Sequence, residues 1–397
     1  MFRTELRYST TCVALLLLAG ACGSDQAPSV PATARELKNR AYIVSDLSDE
    51  LTVIDLDKLE IIKRIPTGGM NNHMAELNAD FTKIFVDSSA TNETIVLDAK
   101  SFAIENRIKI AGHPTHITLS PDGRLMAIMA EETNQVVLLD PDTQKLVKKL
   151  DGFSTPHFMR FAKDGNYGYV ANIGGNRITR VDMQKLSVVD EISLDGFEGK
   201  LTTPDEGGFA DAQIDHDGVL YAAHSASGRV LAYDTNTAKK KPEIAVGNSP
   251  WIAFAEHPYE GIALHHVVPN FGDKTVSVID AEKLLASVSS TLPGDEEAYG
   301  VNFSPIEPNL AFVMNRVRED IAVVDTDKGE ILERIGVGGN TETASTTADG
   351  KLIIATVSSA NKVVVIDVAT RTIKKTFENV GRYPWSVTIP GGQNYCH

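Results

Sequence analysis

Residues 112–150 read GHPTHITLSPDGRLMAIMAEETNQVVLLDPDTQKLVKKL. Four strand-length runs lie in this stretch. His116 to Ser120 is the first, turned by Pro121-Asp122-Gly123; Leu125 to Ala130 is the second, broken by Glu132 to Asn134. Val136 to Asp140 is the third, followed by Pro141-Asp142-Thr143, and Lys145 to Leu150 is the fourth. Apolar and β-branched runs between Gly, Pro and Asp clusters predict a four-stranded antiparallel meander. One such sheet cannot bury both of its faces, so it requires stacked neighbours.

The neighbours announce themselves by one residue. The third run ends in aspartate at Asp55, Asp98, Asp140, Asp182, Asp234, Asp280, Asp325 and Asp367, spaced 42 to 52 residues apart. That period fits β-propeller blades. A carboxylate at the end of a strand caps the following turn, so these acids are read as structural and not catalytic. Full blades begin near His73, His116, His157, Asp211, Trp251, Gly300 and Thr343. Residues 41–65 supply only three strands, and Tyr383 to Ile389 supplies a lone first strand. The expected fold is therefore all-β: an eight-bladed β-propeller spanning residues 40–390. One blade combines N-terminal strands with a C-terminal strand, which removes sheet edges.

Tyr169-Val170-Ala171-Asn172, Val276-Ser277-Val278-Ile279-Asp280 and Ser120-Pro121-Asp122-Gly123 resemble the YVTN family of β-propellers over nearly all of residues 40–390. An eight-blade count resembles the haem-binding propellers of cytochrome-type nitrite reductases and their tetrapyrrole-handling relatives. The resemblance implies the fold and transfers no haem ligand. No Cys-x-x-Cys-His motif is present, so a covalent c-type haem is not expected. Three stretches depart from the period and are expected as loops: Leu194 to Gly208, Val267 to Lys274 and Ser290 to Ala298.

Of the 397 residues, 42% are hydrophobic and 7% aromatic, as a buried β protein requires. The formal charge of −15 argues against nucleic acid as a partner. Residues 1–21 carry Arg3, Arg7 and a short apolar core from Val13 to Ala19, the pattern of a signal peptide. Leu18-Ala19-Gly20-Ala21-Cys22 resembles a bacterial lipobox, which implies lipidation at Cys22 and a lipid-anchored place in the cell envelope, periplasm-facing or on the outer membrane. An ordinary secretory signal is the alternative. Residues 22–39 then form a tether and residues 391–397 a tail. Cys12 leaves with the signal, so Cys396 has no intrachain partner. Beside His397 it reads as a metal ligand, an intermolecular disulfide or an inert end.

In a propeller the first strand of each blade lines the axis, and the second strand returns to the same face. The first strands start at His73, His113 and His116, His157, Asp211, Trp251, Tyr299, Glu342 and Trp385. The second strands end near Asp87, Glu131, Asn172, His224, His266, Asn315-Arg316 and Thr356. The candidate metal ligands are His73, His116, His157, His224 and Asp211. Imidazoles from separate rigid strands suit copper, zinc or iron. Trp251, Tyr299 and Trp385 offer flat faces for a non-covalent tetrapyrrole, and Arg316 and Arg318 offer cations for its carboxylates. His216 and His257 map to the opposite face, and Lys239-Lys240-Lys241 reads as a solvated turn. No G-x-S-x-G, phosphate loop or H-E-x-x-H is present. The expected function is an envelope lipoprotein that binds a transition metal or tetrapyrrole at the mouth, for metal or haem handling or redox chemistry. The alternatives are a scaffold for an envelope protein partner and a small-molecule hydrolase or lyase.

Overall fold

The structure, a computed structural model, describes residues 36–198, 207–255, 265–289 and 297–394. Cys12, Cys22, His257, Cys396, His397, the middle of the 194–208 insertion and residues 290–296 lie outside the described residues. No helix among the described residues is long and apolar enough to cross a membrane.

The fold is a β-propeller. The described strands form eight antiparallel sheets, six of four strands and two of five. Their axial strands are Asn72–Leu77, Pro114–Leu119, Pro156–Phe161, Gln213–Ile214, Phe254–Ala255, Ala298–Phe303, Thr341–Thr346 and Pro384–Thr388. The closing sheet joins Pro384–Thr388 to Arg40–Ser45, with Val387 opposite Ile43 and Thr388 opposite Tyr42. Eight apolar clusters fill the wedges, each built chiefly from two successive sheets. Leu37, inside the segment expected as tether, is buried in one of them beside Tyr42 and Val44.

The aspartates that revealed the period cap turns. Asp140 Oδ1 accepts the N–H groups of Asp142 and Thr143, each at 2.9 Å. The other seven accept from backbone two or three residues on in the same way. The Pro121 turn closes with Gly123 N–H donating to Ser120 O at 2.8 Å, and Gly123 takes φ +72°, where a side chain is strained.

One expected loop is a strand instead. Val267 to Asn270 belong to the second strand His265–Asn270, with Val267 and Val268 fully buried. Pro269 and Asn270 look like turn residues in sequence. Here Pro269 needs no N–H partner on its axial side, and its carbonyl accepts the Trp251 N–H at 3.0 Å. The same shift moves His266 from the mouth end of the strand to the opposite end, where it packs 4.0 Å from the Tyr221 ring.

Candidate metal centre at the propeller mouth

Two backbone devices recur where the axial strands begin. Asn71, His113, Thr155, Ser249, Glu297 and Tyr383, each one residue before an axial strand or bridge, take positive φ between 48° and 65°. Side-chain amides hold several in place: Asn92 receives the His113 N–H, Asn134 the Thr155 N–H and Asn361 the Tyr383 N–H. A register shift follows at once. It skips His73-Met74, Thr115, His157, Tyr299-Gly300, Glu342-Thr343 and Trp385. A bulged residue is unpaired and its side chain is re-aimed. Repeated around the ring, the bulge directs one side chain after another to a common opening.

Nine side chains meet there in a closed circuit. His73 and His116 have ring centroids 4.8 Å apart, and His116 and His157 4.2 Å apart. His157 reaches Trp251 at 6.3 Å, and Trp251 stacks on Tyr299 at 6.1 Å. The Arg316 guanidinium lies 3.5 Å over the Tyr299 ring and pairs with Glu342 at 3.4 Å. Glu342 accepts the Tyr383 hydroxyl at 3.0 Å, Tyr383 stacks on Trp385, and Trp385 returns to His73 at 5.5 Å.

The donors concentrate on one arc. Ligand atoms of His116, Glu131 and His157 all lie within 4.8 Å of one another. His157 Nδ1 donates to Ala210 O at 2.8 Å, which leaves Nε2 as the lone-pair nitrogen. Thr115, the bulged residue of its strand, donates its hydroxyl to Glu131 at 2.7 Å and contacts His116 Nδ1 at 3.1 Å. A hydroxyl that gives its proton to a carboxylate accepts from the imidazole, so His116 also presents Nε2. Burial, with His157 and His113 beside it, lowers His73 to about 3, so His73 is neutral and a competent ligand at ordinary pH. Two imidazoles and a carboxylate are a familiar three-ligand set for zinc or non-haem iron.

Two expected ligands do not join this arc. His224 ends the strand Val219–His224, but Nδ1 meets Ser227 Oγ at 2.9 Å and Nε2 meets Asn176 Oδ1 at 2.6 Å. Both nitrogens are spent, and Phe197 and Phe209 flank the ring. Burial lowers it to about 4. Asp211 is fully buried, and its carboxylate accepts from Arg160 at 2.9 Å and Gln213 at 2.6 Å, so it neutralises an arginine. Arg316 and Arg318 likewise already hold Glu342 and Asp320. Trp251, Tyr299 and Trp385 are at the mouth as expected, and among the described residues neither indole N–H finds an acceptor. The sequence places Glu131 at the mouth but gives it no ligand role; the hydroxyl beside His116 was the available signal. Glu76, raised by burial to about 7, has no counterpart among the candidates.

The propeller is similar to solved structures. The dihydro-heme d1 dehydrogenase NirN, in complex with DHE, aligns with TM-score 0.74 at 16% identity, over 89% of this chain and 76% of that one. Kuenenia stuttgartiensis hydrazine synthase aligns with TM-score 0.50 at 20% identity, over 64% of this chain and 76% of that one. At these identities the likeness shows the fold. Antigen Lp49 of Leptospira interrogans serogroup Icterohaemorrhagiae serovar copenhageni (strain Fiocruz L1-130) is 19% identical over 233 residues, 55% of this chain and 49% of that protein. The chain thus spans about half the length of that curated relative. Residues 82–390 match the model of one family, and the chain belongs to it: the YNCE-like β-propellers.

Proposed function

We propose that the chain is an eight-bladed propeller that holds a transition-metal ion between His116, Glu131 and His157, with His73 beside them, and serves metal handling or redox chemistry in the cell envelope. The observation that carries it is the convergence of three donor atoms within 4.8 Å, with two imidazoles oriented by hydrogen bonds to present Nε2. The blade count rests on eight sheets and eight interfacial clusters. An ion supplies Lewis acidity or a change of oxidation state; the protein fixes the donors on rigid strands and screens them with an aromatic rim.

The test is metal analysis of the purified full chain after titration with zinc, copper or cobalt. One ion per chain is expected, and its loss in His116→Ala, His157→Ala and Glu131→Gln. Undiminished metal in the His116→Ala/His157→Ala double variant overturns the assignment.

A tetrapyrrole over the mouth is the second reading, favoured by the stacked Trp251, Phe271 and Tyr299 rings and the two indole N–H groups. With Arg316 and Arg318 engaged, it rests on the rings and their N–H groups. Saturable haem binding, lost in Trp251→Ala and Trp385→Ala, is its expected result. Anchoring through lipidated Cys22 is part of the same proposal. It predicts that Cys22→Ala moves the chain from the membrane fraction to the soluble one.

A further inference from the structure

One position recurs around the mouth: the first residue after each second strand. Its N–H donates to the carbonyl of the residue just ahead of the axial strand in the same sheet. Ser89 reaches Asn71 at 3.0 Å, Ile173 reaches Thr155 at 3.1 Å and Ser358 reaches Asn340 at 2.8 Å. Glu131, directly after Met126–Ala130, holds this position in its own sheet. The next residue confirms the register, because Glu132 N–H donates to Gly112 O at 3.0 Å as Ala90 N–H does to Met70 O at 3.1 Å.

In three sheets this residue is serine, and each serine does the same work. Ser89 Oγ donates to Pro114 O at 2.6 Å, Ser225 Oγ to Pro250 O at 2.9 Å and Ser358 Oγ to Pro384 O at 2.8 Å. Each proline opens the axial segment of the next sheet, so each hydroxyl locks one blade to its successor. Pro156 has the same setting as these three. All four prolines follow a residue of positive φ, and all four pair with the end of a second strand. Yet the blade before Pro156 offers Glu131, and a carboxylate has no proton to give a carbonyl. Glu131 instead accepts the Thr115 hydroxyl at 2.7 Å and brings a ligand atom within 4.8 Å of those of His116 and His157. Phe271 and Arg316 hold the same position in two other sheets, and both belong to the rim: Phe271 stacks on Trp251 at 5.7 Å, and Arg316 lies over Tyr299.

We propose that this position sets what the mouth binds: serine there locks blade to blade, and at Glu131 the lock is exchanged for the charge that makes the ring a site for a divalent transition-metal ion. The proposal rests on the metal reading above and deepens it. The imidazoles of the arc are neutral ligands, whereas a carboxylate attracts a divalent ion twice as strongly as a monovalent one at the same distance. Glu131 therefore selects by charge, and the blade interface at Pro156 gives up a buried hydrogen bond that three other interfaces keep.

Cobalt(II) is the probe, titrated into the full chain, and urea unfolding of the metal-free protein is measured beside it. Glu131→Ser and Glu131→Ala both lose the carboxylate and its bond to Thr115, so they differ only in a hydroxyl. Both should weaken cobalt by about tenfold or more. Metal-free Glu131→Ser should unfold at a higher urea midpoint than Glu131→Ala, because its hydroxyl reaches Pro156 O. Ser89→Ala and Ser358→Ala should unfold at lower midpoints than the wild type. A midpoint for Glu131→Ser no higher than that of Glu131→Ala, or serine-to-alanine variants as stable as the wild type, overturns the exchange and leaves the His-Glu centre standing. Cobalt held by Glu131→Ser as tightly as by the wild type overturns this proposal and removes Glu131 from the centre. A wild-type chain that binds no cobalt overturns both readings. Serine is native at the matching position of three blades, and an unchanged circular dichroism spectrum of Glu131→Ser excludes a folding defect.

Discussion

His224 stands where other second strands end in asparagine: Asn172, Asn270 and Asn315. Those amides tie the strand end to the turn beyond it, as Asn172 Nδ2 does to Arg177 O at 3.0 Å and Asn270 Nδ2 to Thr275 Oγ1 at 3.0 Å. His224 does the same work with Ser227 and Asn176. Its cost is acid sensitivity. Folded His224 titrates near 4, against about 6.5 unfolded, so the unfolded chain binds more protons between those values. Stability from the neutral ring is full above pH 6.5 and declines as pH falls toward 4. His224→Asn should flatten that part of the profile, measured as urea midpoints from pH 7 to 4. Asp87 has the opposite sign. Burial raises it to about 7, against about 3.9 unfolded, with Thr94 donating to Oδ1 at 2.6 Å. The folded state keeps the proton longer, so its contribution is greatest below pH 4 and is lost as pH rises through 7. Asp87→Asn should leave stability at pH 8 less diminished relative to pH 5 than in the wild type. Sequence shows that a histidine reaches the mouth end of a strand. It does not show whether neighbouring hydroxyls and amides have engaged its nitrogens, which is why His224 reads as a ligand although Ser227 and Asn176 hold both of them.

The axial strands were legible as far as their apolar pattern carried. Six full-length axial strands, at Asn72, Pro114, Pro156, Ala298, Thr341 and Pro384, begin within two residues of the positions read from the repeat. The bulges were not legible, because a skipped residue leaves alternation of side chains almost intact over a six-residue strand. Yet the bulges decide which residues face the opening. Where turn residues intrude, as Pro269 does, the reading fails and a buried strand looks like a loop. Closure of the ring was legible because the missing first strand and the spare last strand are complementary. The resulting seam is testable. Ile43 is fully buried between Thr52 and Val387 in the seam cluster, whereas Leu146 is 53% exposed on an outer strand. Ile43→Ala should cost about 2–5 kcal/mol and Leu146→Ala under about 0.5 kcal/mol, read from denaturant midpoints.

At the scale of the whole ring, the proposed centre joins blades as well as donors. His116 and Glu131 lie on one blade and His157 on the next, so an ion held by all three bridges a wedge filled chiefly by apolar contacts. Any ligand that binds the folded ring alone stabilises it by mass action, about 2.7 kcal/mol at a free concentration of one hundred times Kd. Spread over a ring of this length, with an unfolding entropy near 2.1 cal/mol/K per residue, that is a rise of roughly 3–4 °C in Tm. The segment after Ile389 belongs to this scale too: residues 391–397 read as a tail in sequence, yet Gln393–Asn394 pairs with Thr341–Thr346, and the Gly391-Gly392 pair that allows this turn fixes no direction in sequence. One calorimetric series tests the proposed centre. The histidine arc predicts that zinc raises Tm in the wild type and that His116→Ala/His157→Ala abolishes the rise.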